Sequence, residues 1–232
     1  MKFLVIGSPY TGKTSLIEKF VKKNKDYFFL DIRNYRNIIN KKFYKNNKHK
    51  IGPLLQQLQL LFIKPKLFFI LIFFLFFSPR ILLRFWKFYF IQYFSQKKIL
   101  ILRKKKIIQD EGVVKKIYDG IPDIVSNKNQ FYWWKKNYRR INKKLLFTFE
   151  GYDKVIVVIA PVKNIISRIK KRDHYLLNKI QKKAYLKKFH LQNIFYKDLI
   201  KLLKKNNVKT ALINNNDFKE SYTNFCKALQ NS

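Results

Sequence analysis

MKFLVIGSPYTGKTSLIEKF, residues 1–20, is the stretch on which the reading of the chain turns. Phe3 to Ile6 is a short apolar run of strand character, and a helical pattern follows from Lys13 to Lys23. Between them Gly7, Ser8, Pro9, Tyr10, Thr11, Gly12, Lys13 and Thr14 spell G-x-x-x-x-G-K-[ST], a phosphate-binding loop (P-loop, Walker A) in the strand-to-helix setting that the pattern requires.

The residue types follow from the chemistry of holding a phosphate. Gly7 is expected to let the chain leave the strand in a tight turn, and Gly12 to keep a side chain out of the place where backbone wraps the anion. Successive N–H groups then face inward, reinforced by the positive end of the helix that starts near Lys13. Lys13 would reach the β- and γ-phosphates, the Thr14 hydroxyl would ligate Mg²⁺, and Ser15 would bond an α-phosphate oxygen.

Composition bounds the rest. At 232 residues the chain is expected to form one domain, 1–232, long enough for an α/β core with an insertion. A lone Cys226 excludes a disulfide framework and a thiolate metal cluster, which fits a cytoplasmic setting. His49, His174 and His190 are scattered among lysines and read as solvated surface. No secretory signal is read, because the apolar N-terminus runs directly into the loop.

The charge is extreme: 51 Lys and Arg stand against 13 Asp and Glu, a formal +38. Such a field draws in phosphorylated ligands, anionic membrane surfaces or nucleic acid. AT-rich codons also favour Lys, Asn, Ile and Phe, so charge alone does not mark a nucleic-acid protein, and no nucleic-acid-binding module accompanies it.

Downstream, Tyr27 to Ile32 has the length and aromatic content of a second strand. Asp31 and Arg33 then lie near its carboxyl end, either as substrate contacts or as a turn ion pair. Residues 34–50 are polar and basic. Residues 52–105 form an aromatic-rich helical insertion, in which Leu67 to Phe77 are eleven consecutive apolar residues. Eleven helical residues rise about 16 Å, roughly half a bilayer's hydrocarbon thickness, which disfavours a simple crossing. Two readings stay open: packed core, or an interfacial hairpin with its Lys and Arg at the headgroups of an anionic membrane.

Ile107 to Gly112 reads as a strand ending in acids. Asp110 is the candidate to hold Mg²⁺ beside Thr14 or to accept a proton from the attacking hydroxyl, and Glu111 the candidate for the acceptor or its water. Residues 130–144 interleave Phe131, Tyr132, Trp133, Trp134 and Tyr138 with Lys and Arg, either to stack a base or sugar or meet a membrane interface, or as a packed helix face backed by a basic one. Val155 to Ala160 is a β-branched strand buried on both faces. Pro161 starts a helix on which Arg168 and Arg172, four apart, face the same way; either the pair clamps transferring phosphates in a lid over residues 161–190, or they are two more cations on a basic helix. Val208 to Ile213 supplies the last strand and Ser221 to Leu229 a closing helix. Strands alternating with helices imply a parallel sheet.

In order, the Gly7 to Thr14 loop, the Asp110-Glu111-Gly112 strand end, the Val155 to Ala160 strand with Pro161, and the Arg168/Arg172 helix resemble the P-loop nucleoside and nucleotide kinases, thymidylate kinase-like members in particular. The resemblance covers the sheet framework. It implies a five-stranded parallel sheet in the order 2-3-1-4-5, ATP with Mg²⁺, and transfer of the γ-phosphate to a small acceptor. It also implies that Gly7 to Ser15 hold the triphosphate, that Asp110 is the acid at the active-site strand end, and that Arg168 and Arg172 are lid arginines. Thymidylate kinases usually carry Asp-Arg where this chain has Asp110-Glu111, so a nucleoside, a nucleotide or a sugar or glycan precursor all stay open as acceptor. The other class of reading is a nucleotide-dependent switch or NTPase at an anionic membrane or nucleic-acid surface. The guanine-specifying Asn-Lys-x-Asp motif is missing, and the last strand ends in Ile213-Asn214-Asn215-Asn216, which favours adenine.

Overall fold

The computed structural model describes residues 1–31, 67–69, 71–72, 85–86, 89, 106–110, 112–122, 124, 127–173 and 179–230. It divides into two compact units, residues 1–29 with 104–232, and residues 30–103.

The first unit carries the sheet. The described elements run β1 (Lys2–Gly7), α1 (Lys13–Lys23), β2 (Tyr27–Asp31), β3 (Lys106–Asp110), α2 (Val113–Asp119), α3 (Lys128–Leu145), a 3-10 turn (Leu146–Phe149), β4 (Lys154–Ile159), α4 (Val162–Asp173), α5 (Lys179–Lys205), β5 (Thr210–Asn214) and α6 (Phe218–Gln230). The sheet order is β2-β3-β1-β4-β5, the order implied by the kinase resemblance. The pairings of β1 with β3 and β4, and of β4 with β5, are parallel. Strands covered on both faces need no polar side, which is why β1 and β4 read as unbroken Val, Ile and Leu runs rather than alternating ones.

One face of the sheet packs α1 and α6. Phe3, Val5, Ile108, Ile156, Val158 and Ile213 meet Leu16, Ile17, Phe20, Phe225 and Leu229 there, each buried. Phe20 lies edge-on to Tyr27 at 4.8 Å, so the helix is pinned near the foot of β2. At about 1.5–3 kcal/mol per large apolar side chain, this layer anchors the helix whose N-terminus forms the loop.

Helices α2, α3 and α5 pack together around Phe195, which is stacked on Tyr138 at 4.3 Å, meets Tyr118 edge-on at 5.5 Å and lies near Trp134 at 6.3 Å. Residues 130–144 thus resolve as an amphipathic helix: Phe131, Trp134, Ile141 and Leu145 are buried, while Tyr132, Lys135, Lys136, Arg139 and Arg140 are exposed. The helix starts where it does because Asn127 Oδ1 accepts a hydrogen bond from Gln130 N at 2.9 Å, a side-chain N-cap.

In the second unit, residues 67–69 and 71–72 are helical, with Leu67 buried and Phe68, Phe69 and Ile72 exposed at 51%, 67% and 36%. Phe85 stacks on Tyr89 at 5.7 Å, and both are buried. No described helix is long and apolar enough to cross a membrane. The rest of the predicted helical insertion, 52–105, lies outside the described residues.

Candidate active site

The loop leaves β1 at Gly7, and its shape is dictated by the neighbouring strand rather than by a special backbone angle. Gly7 pairs with Val158 of β4, and a Cβ on Gly7 would sit 2.1 Å from the Val158 carbonyl oxygen. Glycine is required there by close approach of backbone to backbone, which corrects the tight-turn role expected from sequence. The turn itself is made further on, where Tyr10 (φ 61°) and Gly12 (φ 83°) both adopt the left-handed region. Tyr10 carries a side chain in that region, a conformation worth roughly 1–3 kcal/mol of strain that persists only where the surroundings fix it. Its ring packs against the Ile165, Ile166, Ile169 and Phe189 cluster.

Four carbonyls of the loop each have a donor. Thr11 Oγ1 donates to Ser8 O at 2.9 Å, Arg168 Nη1 to Tyr10 O at 3.1 Å, Asn215 Nδ2 to Thr11 O at 2.6 Å, and Leu16 N to Gly12 O at 3.1 Å. An amide whose carbonyl is held outward turns its N–H inward, as an anion cradle needs. Gly12 is the N-cap of α1 and no side chain caps that end, so the helix's first N–H groups are left for an anion. Ser8 is buried, and its Oγ has no hydrogen-bond partner among the described residues.

Two side chains at the start of α1 converge on one carboxylate. Lys13 Nζ is 3.2 Å from Asp110 Oδ1, and Thr14 Oγ1 donates to Asp110 Oδ2 at 2.8 Å. Register explains the meeting: Asp110 closes β3 directly opposite Val5 of β1, two residues before the loop begins. Lys13 is 6% exposed and Asp110 is 0% exposed. A pair this deep is held by its geometry, and removing either partner strands a charge at a loss of about 3–5 kcal/mol.

The donor set suits Mg²⁺ delivered with a nucleotide. Among the described residues no cluster of three or more His, Cys, Asp or Glu could form a protein cage for a metal. Mg²⁺ keeps waters and needs only one or two protein oxygens besides phosphate, and the Thr14 hydroxyl beside the Asp110 carboxylate is such a pair.

Of the remaining predicted residues, Ser15 is exposed on the first turn of α1, and Pro9 is half-buried in the loop. Asp31 closes β2 and is half-buried. Arg168 is half-buried on α4 with its guanidinium on the backbone of Tyr10 and, at 3.5 Å, of Asn215; burial pushes its pKa down. Arg33, Glu111, the side chain of Arg172 and residues 174–178 of the predicted lid lie outside the described residues. The residue that sequence reasoning missed is Asn215, which is fully buried just past β5. The signal for it was position: it follows a strand at the carboxyl edge of the sheet, where open α/β folds bind ligands.

No protein-family model and no curated protein matches the chain. Among solved structures it is similar to a deoxyadenosine kinase from M. mycoides with the products dCMP and a flexible dCDP bound, at 15% identity over 100% of both chains with a TM-score of 0.50. It is also similar to the M. mycoides enzyme with bound dATP (15% identity, 99% of this chain and 100% of that one, TM-score 0.49) and to TT1252 from Thermus thermophilus (11%, 100% and 96%, TM-score 0.49). Identity this low speaks to architecture alone. Its sheet order, loop and strand-end carboxylate give this chain the fold of the P-loop nucleoside kinases.

Proposed function

We propose that the chain is an ATP-dependent phosphotransferase, a kinase that moves the γ-phosphate of Mg·ATP to the hydroxyl of a small acceptor. The observation that carries this reading is the convergence of Lys13 Nζ and Thr14 Oγ1 on the buried Asp110 beside the loop. Cation, hydroxyl and carboxylate on one phosphate cradle are the parts that phosphoryl transfer uses, because catalysis there is mostly positioning and charge stabilisation.

In this scheme the loop from Gly7 to Ser15 binds the triphosphate, and Lys13 balances charge on its terminal oxygens. Mg²⁺, held by Thr14 and Asp110, supplies further charge neutralisation when it arrives with the nucleotide. The bond from the γ-phosphorus to its bridging oxygen breaks, ADP leaves with the electron pair, and a new bond forms to the acceptor oxygen. Both Asp110 oxygens already face Lys13 and Thr14, so the acceptor's proton is assigned to Glu111, the next acid in the chain. Asp31 and Arg33 are assigned to acceptor contacts, and Arg168 with Arg172 to the lid side of the phosphates, Arg168 acting through the Tyr10 carbonyl that its Nη1 holds.

A nucleoside is the first acceptor to test, since the M. mycoides neighbour is a deoxyadenosine kinase with dCMP as a bound product. Nucleotides and sugar or glycan precursors come next. A second reading, a nucleotide-dependent switch peripherally bound to an anionic membrane, draws on the exposed Phe68, Phe69 and Ile72 in a chain of charge +38.

The test is ADP release from Mg·ATP by the full chain with deoxynucleosides, nucleoside monophosphates and sugars added singly. The kinase reading expects turnover that depends on one acceptor class. ATP turnover indifferent to every acceptor, together with nucleotide-dependent binding to anionic vesicles, would replace it with the switch.

A further inference from the structure

Asn215 is fully buried 204 positions away from the loop residue it bonds. Its backbone N–H is fixed by Ile159 O at 2.7 Å, so the residue is tied to the carboxyl end of β4 before its side chain does anything. From there Nδ2 reaches Thr11 O at 2.6 Å, and a Cβ on Gly12 would lie 2.6 Å from the same nitrogen. The Asn215 carbonyl accepts from Arg168 Nη2, whose other nitrogen holds Tyr10 O. Two consecutive crest carbonyls, those of Tyr10 and Thr11, are therefore held by side chains from outside the loop. Tyr10 is itself one of the two left-handed positions and Thr11 lies between it and the other, Gly12, where the loop would otherwise relax.

We infer that Asn215 is a positioning residue for the phosphate cradle: its amide holds the Thr11 peptide so that the crest N–H groups stay aimed at the phosphates, with Arg168 doing the same for Tyr10. This rests on the nucleotide-binding reading of the loop and adds to it a residue that touches the loop backbone and not the ligand. The mechanism is preorganisation. A cradle that is already set does not spend binding free energy on ordering itself. The amide acts on the peptide that wraps phosphate, so its effect should be the same for any ligand carrying the triphosphate, whatever base is attached.

The experiment compares the wild-type full chain with Asn215→Leu, which keeps the branched shape and lacks the donor. Asn215→Ala, which adds no bulk, serves where leucine does not fold. Equilibrium binding is measured for Mg·ATP and for inorganic triphosphate with Mg²⁺, alongside peptide-level hydrogen exchange. Leaving one buried carbonyl unpaired should weaken both ligands about tenfold or more and by similar factors. Amide exchange should rise in residues 8–14 while β1 and β4 stay protected. Wild-type affinity in the folded variants, or a rise in exchange spread evenly over the sheet, would overturn the inference. Failure of the wild-type chain itself to bind either probe would remove the phosphate-loop reading, and this inference with it; that outcome is distinguished by needing no variant at all.

Discussion

The two ends of β3 lie four residues apart and hold one ion pair each. At the amino end Lys106 Nζ reaches Asp26 Oδ2 at 2.8 Å, in the open, with 37% and 55% of the side chains exposed. At the carboxyl end Asp110 holds Lys13 and Thr14 in the dark. Neighbouring polar contacts follow the same division, apart from Lys154, which is buried at the amino end of β4. The amino edge is stitched by Lys2 N to Asp153 Oδ2 at 2.6 Å, while the carboxyl edge buries Ser8, Thr11, Lys13, Asp110 and Asn215 together. Solvent takes up exposed charges at little loss, so the first pair is close to optional. Burying five polar side chains around one loop is expensive unless they serve a ligand or hold one another. The difference teaches that function in this fold is read from where polar groups are buried and not from how many there are.

Several variants sharpen or break that contrast. The largest effect is expected for Lys13→Ala. It should weaken Mg·ATP at least about a hundredfold, since the proposed scheme sets this cation on the terminal phosphates. It should also lower stability by about 3 kcal/mol, or about 6–12 °C in melting temperature, because Asp110 is left buried and uncompensated. Adding Asp110→Asn to that variant should return most of the stability and none of the binding. Recovery of both, read by calorimetric titration and thermal melting, would mean the carboxyl-edge pair is merely structural.

Gly12→Ala comes next. A Cβ at φ 83° is strained and would press on Asn215 Nδ2, so nucleotide affinity should fall by about tenfold or more with a smaller drop in melting temperature. Tyr152→Phe is expected to act on stability alone. It removes the 2.7 Å hydrogen bond to Gln109 Oε1 in the buried middle of the unit, destabilising by about 1–2 kcal/mol without changing Mg·ATP affinity. An affinity change there would blur the line between the two edges.

Asp26→Asn should have the smallest effect, present only over the pH range in which both partners are charged and absent at the extremes. The Lys106 ammonium holds the Asp26 carboxyl below its ordinary pKa. Its contribution is present above the unfolded carboxylate pKa and is lost as pH falls through the depressed folded value, so the variant should differ from wild type above about pH 4 and converge on it below. The same bond raises the Lys106 pKa, so its share persists at neutral pH and fades only above about pH 10. Urea midpoints across pH 3–8 check this, and nucleotide affinity at neutral pH should not move.

Much of this edge was legible in the sequence. The loop, α1 and the buried runs of β1 and β4 follow from a short local pattern, and Asp110 follows from a strand that ends in acid. What was not legible depends on register and on contacts distant in sequence. The need for glycine at position 7 arises from the Val158 carbonyl 151 residues later, which appears only when β1 and β4 are paired. Asn215 sits in an asparagine run that looks like AT-rich composition, and its bond to Thr11 spans nearly the whole chain. Trp134 looked equally suited to stacking a base and to filling a core; only the packing of α3 against Phe195 separates the two.

The most direct measurement is equilibrium binding of ATP to the full chain with and without Mg²⁺, by calorimetry and by melting temperature. A single site should appear, Mg²⁺ should strengthen it, and at a hundredfold excess over Kd the native state should gain about 2.7 kcal/mol. No heat of binding and no shift in melting temperature at millimolar Mg·ATP would contradict the account at its centre.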